Sequence, residues 1–182
     1  MNTALLIACL VAVACTAPAV DSHRISRGAL AHTSSSFEFT VGAPYERVAP
    51  LFGADTERAW ADDEWDPRFL HPAPARDVEG AVFTLTRGGH TAVWISTVFD
   101  LEHGHVAYAY VIPDVLATRI DIRLTRPDAA TTHVRVLYER TALAPAVDER
   151  VEAMGAHDAA QGPEWKAGLE RAQTCALNRE RD

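Results

Sequence analysis

The stretch that most restricts the fold runs from residue 81 to residue 143, a succession of short strand signals. AVFTL, AVWISTVFDL, HVAYAYVI, ATRIDIRLT and TTHVRVLYERTAL follow one another. The breaks between them hold Gly88-Gly89, Glu102-His103-Gly104, Pro113-Asp114 and Pro127-Asp128. Runs of this length, separated only by turn residues, form an antiparallel meander. Ile120, Ile122 and Leu124 alternate with Arg119, Asp121 and Arg123. A strand with one apolar and one charged face belongs to a sheet that meets water on one side.

The other side needs a cover, and the last forty residues supply it by switching to helical spacing. Val147, Val151 and Met154 recur at i, i+4, i+7; Gly162-Pro163 breaks and restarts the helix; Trp165, Leu169 and Ala172 repeat the pattern. Ahead of the meander, Phe37, Phe39 and Val41 alternate with Glu38 and Thr40 in a half-buried strand. Pro44 opens a short helix with Tyr45, Val48 and Phe52 on one side and a kink at Pro50. Gly53 stops it, and Asp55 is expected to cap a second short helix toward Trp60. The predicted fold is α+β: two short helices after strand 1, then a curved antiparallel sheet of about seven strands packed on a long C-terminal helix.

A chain of 182 residues suits one domain with a single core. The first twenty residues carry no charge, and Ala4 to Ala14 is an apolar run too short to span a bilayer. Small residues follow, so 1–20 reads as an export leader. Cys15 after Ala12-Val13-Ala14 offers the alternative of a lipoprotein signal, with a membrane anchor on Cys15. A misassigned start or a buried N-terminal helix is the competing reading. The predicted localisation is therefore exported: periplasmic, secreted or membrane-anchored. Residues 21–36 are polar and Ser-rich and read as a tether, with the domain spanning 37–178. Cys175 alone stays certainly within the domain, so no internal disulfide and no CxxC zinc or redox pair is expected. A net charge of −8 with dispersed Lys and Arg argues against a nucleic-acid partner.

PYERVAPLF after the first strand, ERAWADDEWDPRFL, EGAVFTL, AVWISTVFD, YERTAL and the isolated Trp165 with Leu169 occur in a telling order. Over residues 37–177 this order resembles the helix-grip superfamily, which contains START lipid-transfer domains, pollen-allergen proteins and polyketide cyclases (SRPBCC). Within it, the chain resembles the bacterial SRPBCC-family proteins. The resemblance implies a curved sheet gripping the C-terminal helix, with a cavity between them for an apolar molecule. It implies no single reaction, since members bind lipids, hormones or polyketides and some catalyse cyclisation or hydrolysis.

Strand alternation assigns Phe37, Phe39, Val41, Phe83, Leu85, Ile95, Phe99, Tyr108, Tyr110, Ile120, Ile122, Val134, Val136 and Tyr138 to the concave face, joined by Trp165 and Leu169 from the helix. The polar groups assigned there are the hydroxyls of Tyr108, Tyr110, Tyr138, Thr97 and Thr118, and no Asp, Glu, His or Lys. Trp94 falls on the outer face in this register, an uncomfortable place for an indole unless a bulge resets the strand. An interior without a tunable acid or base is suited to holding a small hydrophobic ligand rather than transforming it. Burying roughly 250 Å² of apolar ligand surface contributes about 6 kcal/mol gross. After association costs this corresponds to micromolar or weaker binding. The candidate ligand-binding residues are Trp60, Trp65, Phe83, Ile95, Phe99, Tyr108, Tyr110, Ile122, Val136, Tyr138, Trp165 and Leu169. No catalytic residue, cofactor or metal is assigned.

Two alternatives stand beside this reading. One is an enzyme, which needs Glu139 or His133 turned inward by a bulge. The other is a protein-interaction module with a filled core. His103 and His105 do not make a metal site with the remaining histidines: His90 and His103 lie about 40 Å apart along one strand, and His105 and His133 are two strands apart, about 10 Å. GxSxG, HExxH and GxxxxGK[ST] motifs do not occur. In AWADDEWDPRFLHP, residues 59–72, at least one of Trp60 and Trp65 is expected to pack inward. Pro67, Pro72 and Pro74 fit an edge strand. Asp62, Asp63, Glu64 and Asp66 form its wet side, and Arg68 is expected to pair with Asp66 or Asp62.

Overall fold

The computed structural model describes residues 29–179. The leader, Cys9, Cys15 and the first part of the tether lie outside the described residues. The described chain forms a seven-stranded antiparallel sheet in the order β1-β7-β6-β5-β4-β3-β2. The strands are β1 His32–Val41, β2 Arg68–His71, β3 Val82–Arg87, β4 His90–Asp100, β5 His105–Ile112, β6 Leu116–Thr125 and β7 Thr132–Ala142. The meander accounts for β3 to β7, and β1 closes the sheet beside β7.

β1 begins at His32, five residues earlier than its hydrophobic alternation suggests. His32 to Ser36 pair with Thr141 to Leu137 of β7. Thr33 and Ser35 take the inward positions that Phe37, Phe39 and Val41 continue, so residues 32–36, expected in the tether, belong to β1. Backbone pairing with β7 supplies what the side chains of this Ser-rich stretch do not.

Tyr45–Val48 forms α1, followed by 3₁₀ turns at Ala49–Phe52 and Thr56–Ala59. Asp55 does not cap the second turn with its side chain. The Asp77 carboxylate does so from outside, accepting the N–H groups of Asp55 at 2.8 Å and Thr56 at 3.2 Å. The arm that follows holds both tryptophans inward. Trp60 donates its indole N–H to the Leu51 carbonyl at 2.7 Å, and Trp65 donates to that of Ala54 at 2.8 Å. β2 then forms the edge of the sheet, as its flanking prolines predict.

The C-terminal cover consists of α2 Asp148–Ala159 and α3 Gly162–Arg179. Between sheet and α3 lies the main core, with Val41, Val48, Phe83, Val106, Val134, Val136 and Leu169 excluded from water. α2 seals a smaller cluster of Leu116, Ala142 and Val151. Gly168 sets how close α3 comes to the arm, because a β-carbon there would lie 2.6 Å from the Trp60 carbonyl oxygen.

β4 carries a change of register that matters for the interior, besides a shift at the β2 edge between Phe69 and His71. Trp94 and Ser96 are buried, whereas Ile95 is 43% exposed on the convex face beside Val93 and Val111. A bulge between Ser96 and Val98 then inserts Thr97 as an unpaired, exposed residue. The bulge resets alternation, so Phe99 returns to the inner face opposite Val106. Ile95 and Thr97 are thus corrected to the outer surface and Trp94 to the interior. The physical reason is area: an indole offers more apolar surface to bury than an isoleucine side chain, and it lands between Phe83 and Tyr110.

Candidate functional site

All four tryptophans of the chain meet at one cavity. Trp60 and Trp65 come from the arm, Trp94 from β4 and Trp165 from α3, around a volume of about 280 Å³. Trp60 and Trp165 meet edge to face at 5.2 Å, as do Trp65 and Trp94 at 5.6 Å. Trp94 stacks on Tyr110 with centroids 4.0 Å apart. Tyr110, Tyr138, Leu85, Ala92, Ile112 and Ile120 complete the apolar wall.

Among the candidate ligand-binding residues, Trp60, Trp65, Tyr110, Tyr138 and Trp165 border this cavity. Phe83, Tyr108, Ile122, Val136 and Leu169 are buried in the core behind it, and Phe99 is half-buried at the core's far margin. Tyr108 spends its hydroxyl on the Phe52 carbonyl at 2.7 Å. Ile95 faces away.

The interior is not uncharged, contrary to the expectation from alternation. Cross-strand register lines up Phe69, Phe83, Trp94, Tyr110, Thr118, Arg140 and Thr33, one residue from every strand of the sheet. Arg140 therefore points inward. Its Nε and Nη2 donate to the two carboxylate oxygens of Asp158 on α2 at 2.6 and 2.9 Å. Its Nη1 donates to the Tyr110 hydroxyl and to Thr118 Oγ1. The guanidinium also lies 4.7 Å over the Tyr138 ring. Burial works against the Arg140 charge, but the Asp158 hydrogen bonds and the nearby tyrosines outweigh it and hold the proton more tightly than usual. Burial pushes the Tyr138 phenol well up, so it stays neutral.

Glu57, on the second 3₁₀ turn, is the other interior ionisable group. It is only 9% exposed and borders the cavity. Burial drives its carboxyl well above the ordinary value; Arg87 pulls it down, while Asp77 and Asp62 push it further up. Such a shift favours the protonated form of this carboxyl over the ionised one.

The groups first considered for acid–base work sit outside. Glu139 accepts from Arg119 at 2.8 Å on the convex face, and His133 stands 3.8 Å from Glu38. His105 is not a plain turn histidine, for it bonds Asp121 at 3.0 Å between strands. At the mouth, Asp62 and Glu64 pair with Arg87, leaving Arg68 only a 4.0 Å contact with Asp66. Among the described residues, no three His, Cys, Asp or Glu side chains converge to hold a metal.

No protein-family model matches the sequence, and no curated protein does. Solved structures do match. A truncated norcoclaurine synthase from Thalictrum flavum aligns with TM-score 0.60 and 12% identity, over 82% of this chain and 98% of that one. Ara h 8.0201 gives 0.57 and 12%, over 81% and 99%. The protein XoxI from Bacillus cereus gives 0.55 and 20%, over 83% and 99%. The chain has the helix-grip fold. In helix-grip terms, the cavity lies at the expected place between the sheet and the C-terminal helix. Sequence identities this low establish the architecture and leave the chemistry to the residues themselves.

Three residues, Arg140, Asp158 and Glu57, were not assigned to the interior from the sequence, for different reasons. Arg140 was visible, two residues beyond inward Tyr138, and Asp158 follows Val151 by seven on the same face of α2. Glu57 sits in a 3₁₀ turn of four residues, too short for a periodic pattern to show which side chain turns in.

Proposed function

We propose that this chain binds a small hydrophobic molecule in the tryptophan-walled cavity and is carried out of the cytoplasm by its N-terminal leader. The observation that carries the binding reading is the convergence of all four tryptophans on one unfilled volume of about 280 Å³. Aromatic side chains pack against each other closely when their role is only to fill a core. A cavity of this size, with a few polar groups among aromatic walls, has the composition of a small-molecule site. A lipid-like or polyketide-like ligand fits the resemblance. Anchoring through Cys15 remains a feature of the leader reading, testable by mass of the mature protein.

The test uses N-phenyl-1-naphthylamine, a neutral probe that brightens in apolar surroundings. One probe per chain is expected, with quenching of tryptophan emission. Ala92 borders the cavity, and Ala92→Phe should fill it and abolish binding while the protein stays folded. Probe binding that survives Ala92→Phe, or its absence from the wild type, rejects the reading.

A second reading, proton-transfer catalysis, is favoured by one observation: Glu57, its carboxyl pKa raised by burial, lines the cavity together with Tyr138. It predicts that Glu57→Gln removes turnover of a bound substrate and leaves its affinity intact. The existence of the cavity speaks against an interaction module with a solid core.

A further inference from the structure

Most buried donors around the cavity are spent within the protein. Trp60 and Trp65 give their indole N–H groups to the Leu51 and Ala54 carbonyls. Arg140 gives its own to Asp158, the Tyr110 hydroxyl and Thr118. Trp94 differs. It lines the cavity, is only 7% exposed, and its indole N–H is buried with no acceptor among the described residues. The Ser96 hydroxyl is also buried and unpartnered, but Ser96 does not line the cavity.

The packing of Trp94 decides which part of it a ligand can meet. Phe83 and Tyr110, its cross-strand neighbours on β3 and β5, stack on either side of the indole at 5.7 and 4.0 Å. Trp65 and Tyr108 meet it at steep angles. With both faces covered, what remains for a ligand is an edge, and the polar atom of that edge is Nε1. Phenylalanine would fill this place without leaving a buried donor unmatched, which is costly. The charged lining groups offer no unbalanced cation to an anionic ligand. Arg87 faces Asp62 and Glu64, Arg140 is held by Asp158, and α3 brings Glu164 as well as Arg171.

We propose, resting on the binding reading, that the ligand is an uncharged, mostly apolar molecule whose acceptor oxygen, a carbonyl or ether, takes a hydrogen bond from the Trp94 indole N–H. Its apolar body lies against the aromatic wall, and its oxygen serves the donor that the protein leaves unmatched. An uncharged guest also avoids the cost of burying a further ion beside Arg140 and Asp158.

The test titrates protein labelled at its indole nitrogens with three probes of matched shape, 2-acetylnaphthalene, 2-ethylnaphthalene and 2-naphthoate, followed by NMR. The Trp94 indole proton, identified by its loss in Trp94→Phe, should move downfield with the ketone and not with the hydrocarbon. The ketone should bind about fivefold more tightly, the equivalent of one neutral hydrogen bond. These two probes are neutral and are compared at one pH, so Glu57, Asp62, Arg87, His90, Arg140, Glu164 and Arg171 act on both alike. Trp94→Phe keeps a ring, removes the donor, and should bind ketone and hydrocarbon alike. If that variant does not fold, contacts with Tyr110 identify the wild-type signal, and its shift decides. Equal affinity in the wild type, or an unmoved Trp94 signal, overturns the inference. So does a ketone preference that survives Trp94→Phe, or tightest binding of the naphthoate. In each of these cases binding of N-phenyl-1-naphthylamine leaves the binding reading standing. Failure of every probe rejects that reading and the inference with it.

Discussion

Glu139 and Arg140 are neighbours in β7, yet their ion pairs live in different media. Glu139 faces outward and meets Arg119, which meets Asp121, which in turn holds Arg123 and His105, all at 2.8 to 3.0 Å. Arg140 faces inward and grips Asp158, whose side chain is 1% exposed. The two networks use the same chemical groups at the same distances. What differs is the water around them. On the convex face Arg119 is 56% exposed, so solvent and salt screen its attraction. Inside, both partners have lost hydration, and each depends on the other. Distances alone therefore rank these interactions wrongly.

Removing one inner partner gives the largest expected effect. Arg140→Met leaves Asp158 buried and unpaired and should cost about 3–5 kcal/mol, read as a fall in the urea midpoint. Arg140→Met with Asp158→Leu should recover most of that loss. A double variant as unstable as the single one would show that the pair contributes more than mutual neutralisation.

The next comparison concerns pH, because the two faces respond in opposite directions. Glu57 has its folded pKa raised by burial, so the folded protein holds this proton more tightly than the unfolded chain. Its contribution is complete below the ordinary value of 4.5 and is lost as pH climbs through the folded value. Glu57→Gln should therefore raise Tm relative to wild type at pH 7 and lose that advantage near pH 4. Asp121 behaves the other way. Burial pushes it up, but hydrogen bonds from His105 and Arg123 prevail and hold it below 3.8. Its contribution is present above that value and is lost on further acidification. Asp121→Asn should cost stability at pH 7, with the difference closing as pH falls through the folded value of Asp121.

The smallest effect is expected at the outer pair. Arg119→Ala should change stability by about 0–1 kcal/mol, and 0.5 M salt should shrink even that. A loss comparable to Arg140→Met would erase the distinction between the faces.

The architecture was legible because periodicity and turn residues carry it. The meander, the break at Gly162-Pro163 and the edge strand among prolines all follow from local chemistry that tertiary packing does not override. The boundary of β1 was hidden, since Thr33-Ser34-Ser35-Ser36 has no hydrophobic alternation and is ordered by pairing with β7. Arg140 shows a different obscurity. Its inward position follows from simple alternation after Tyr138, but a charge there runs against the apolar face unless Asp158, eighteen residues on, is known to meet it.

β4 contains a further consequence. Val93 and Ile95 on one side, Ala92 and Trp94 on the other, make both of its surfaces water-averse. A nascent strand that zipped to β3 one step out of phase would still hide two branched aliphatic side chains. It would strand one indole in solvent and close off the aromatic chamber. The tight hairpin at Gly88-Gly89 acts as the alignment pin against that slip, and the spare residue Thr97 is absorbed on the β5 side alone. Deleting Thr97 should leave a regular β4, with Ser96 and Val98 still opposite Tyr108 and Ala107 and Trp94 still inside, whereas lengthening the Gly88-Gly89 turn by one residue should turn the indole outward.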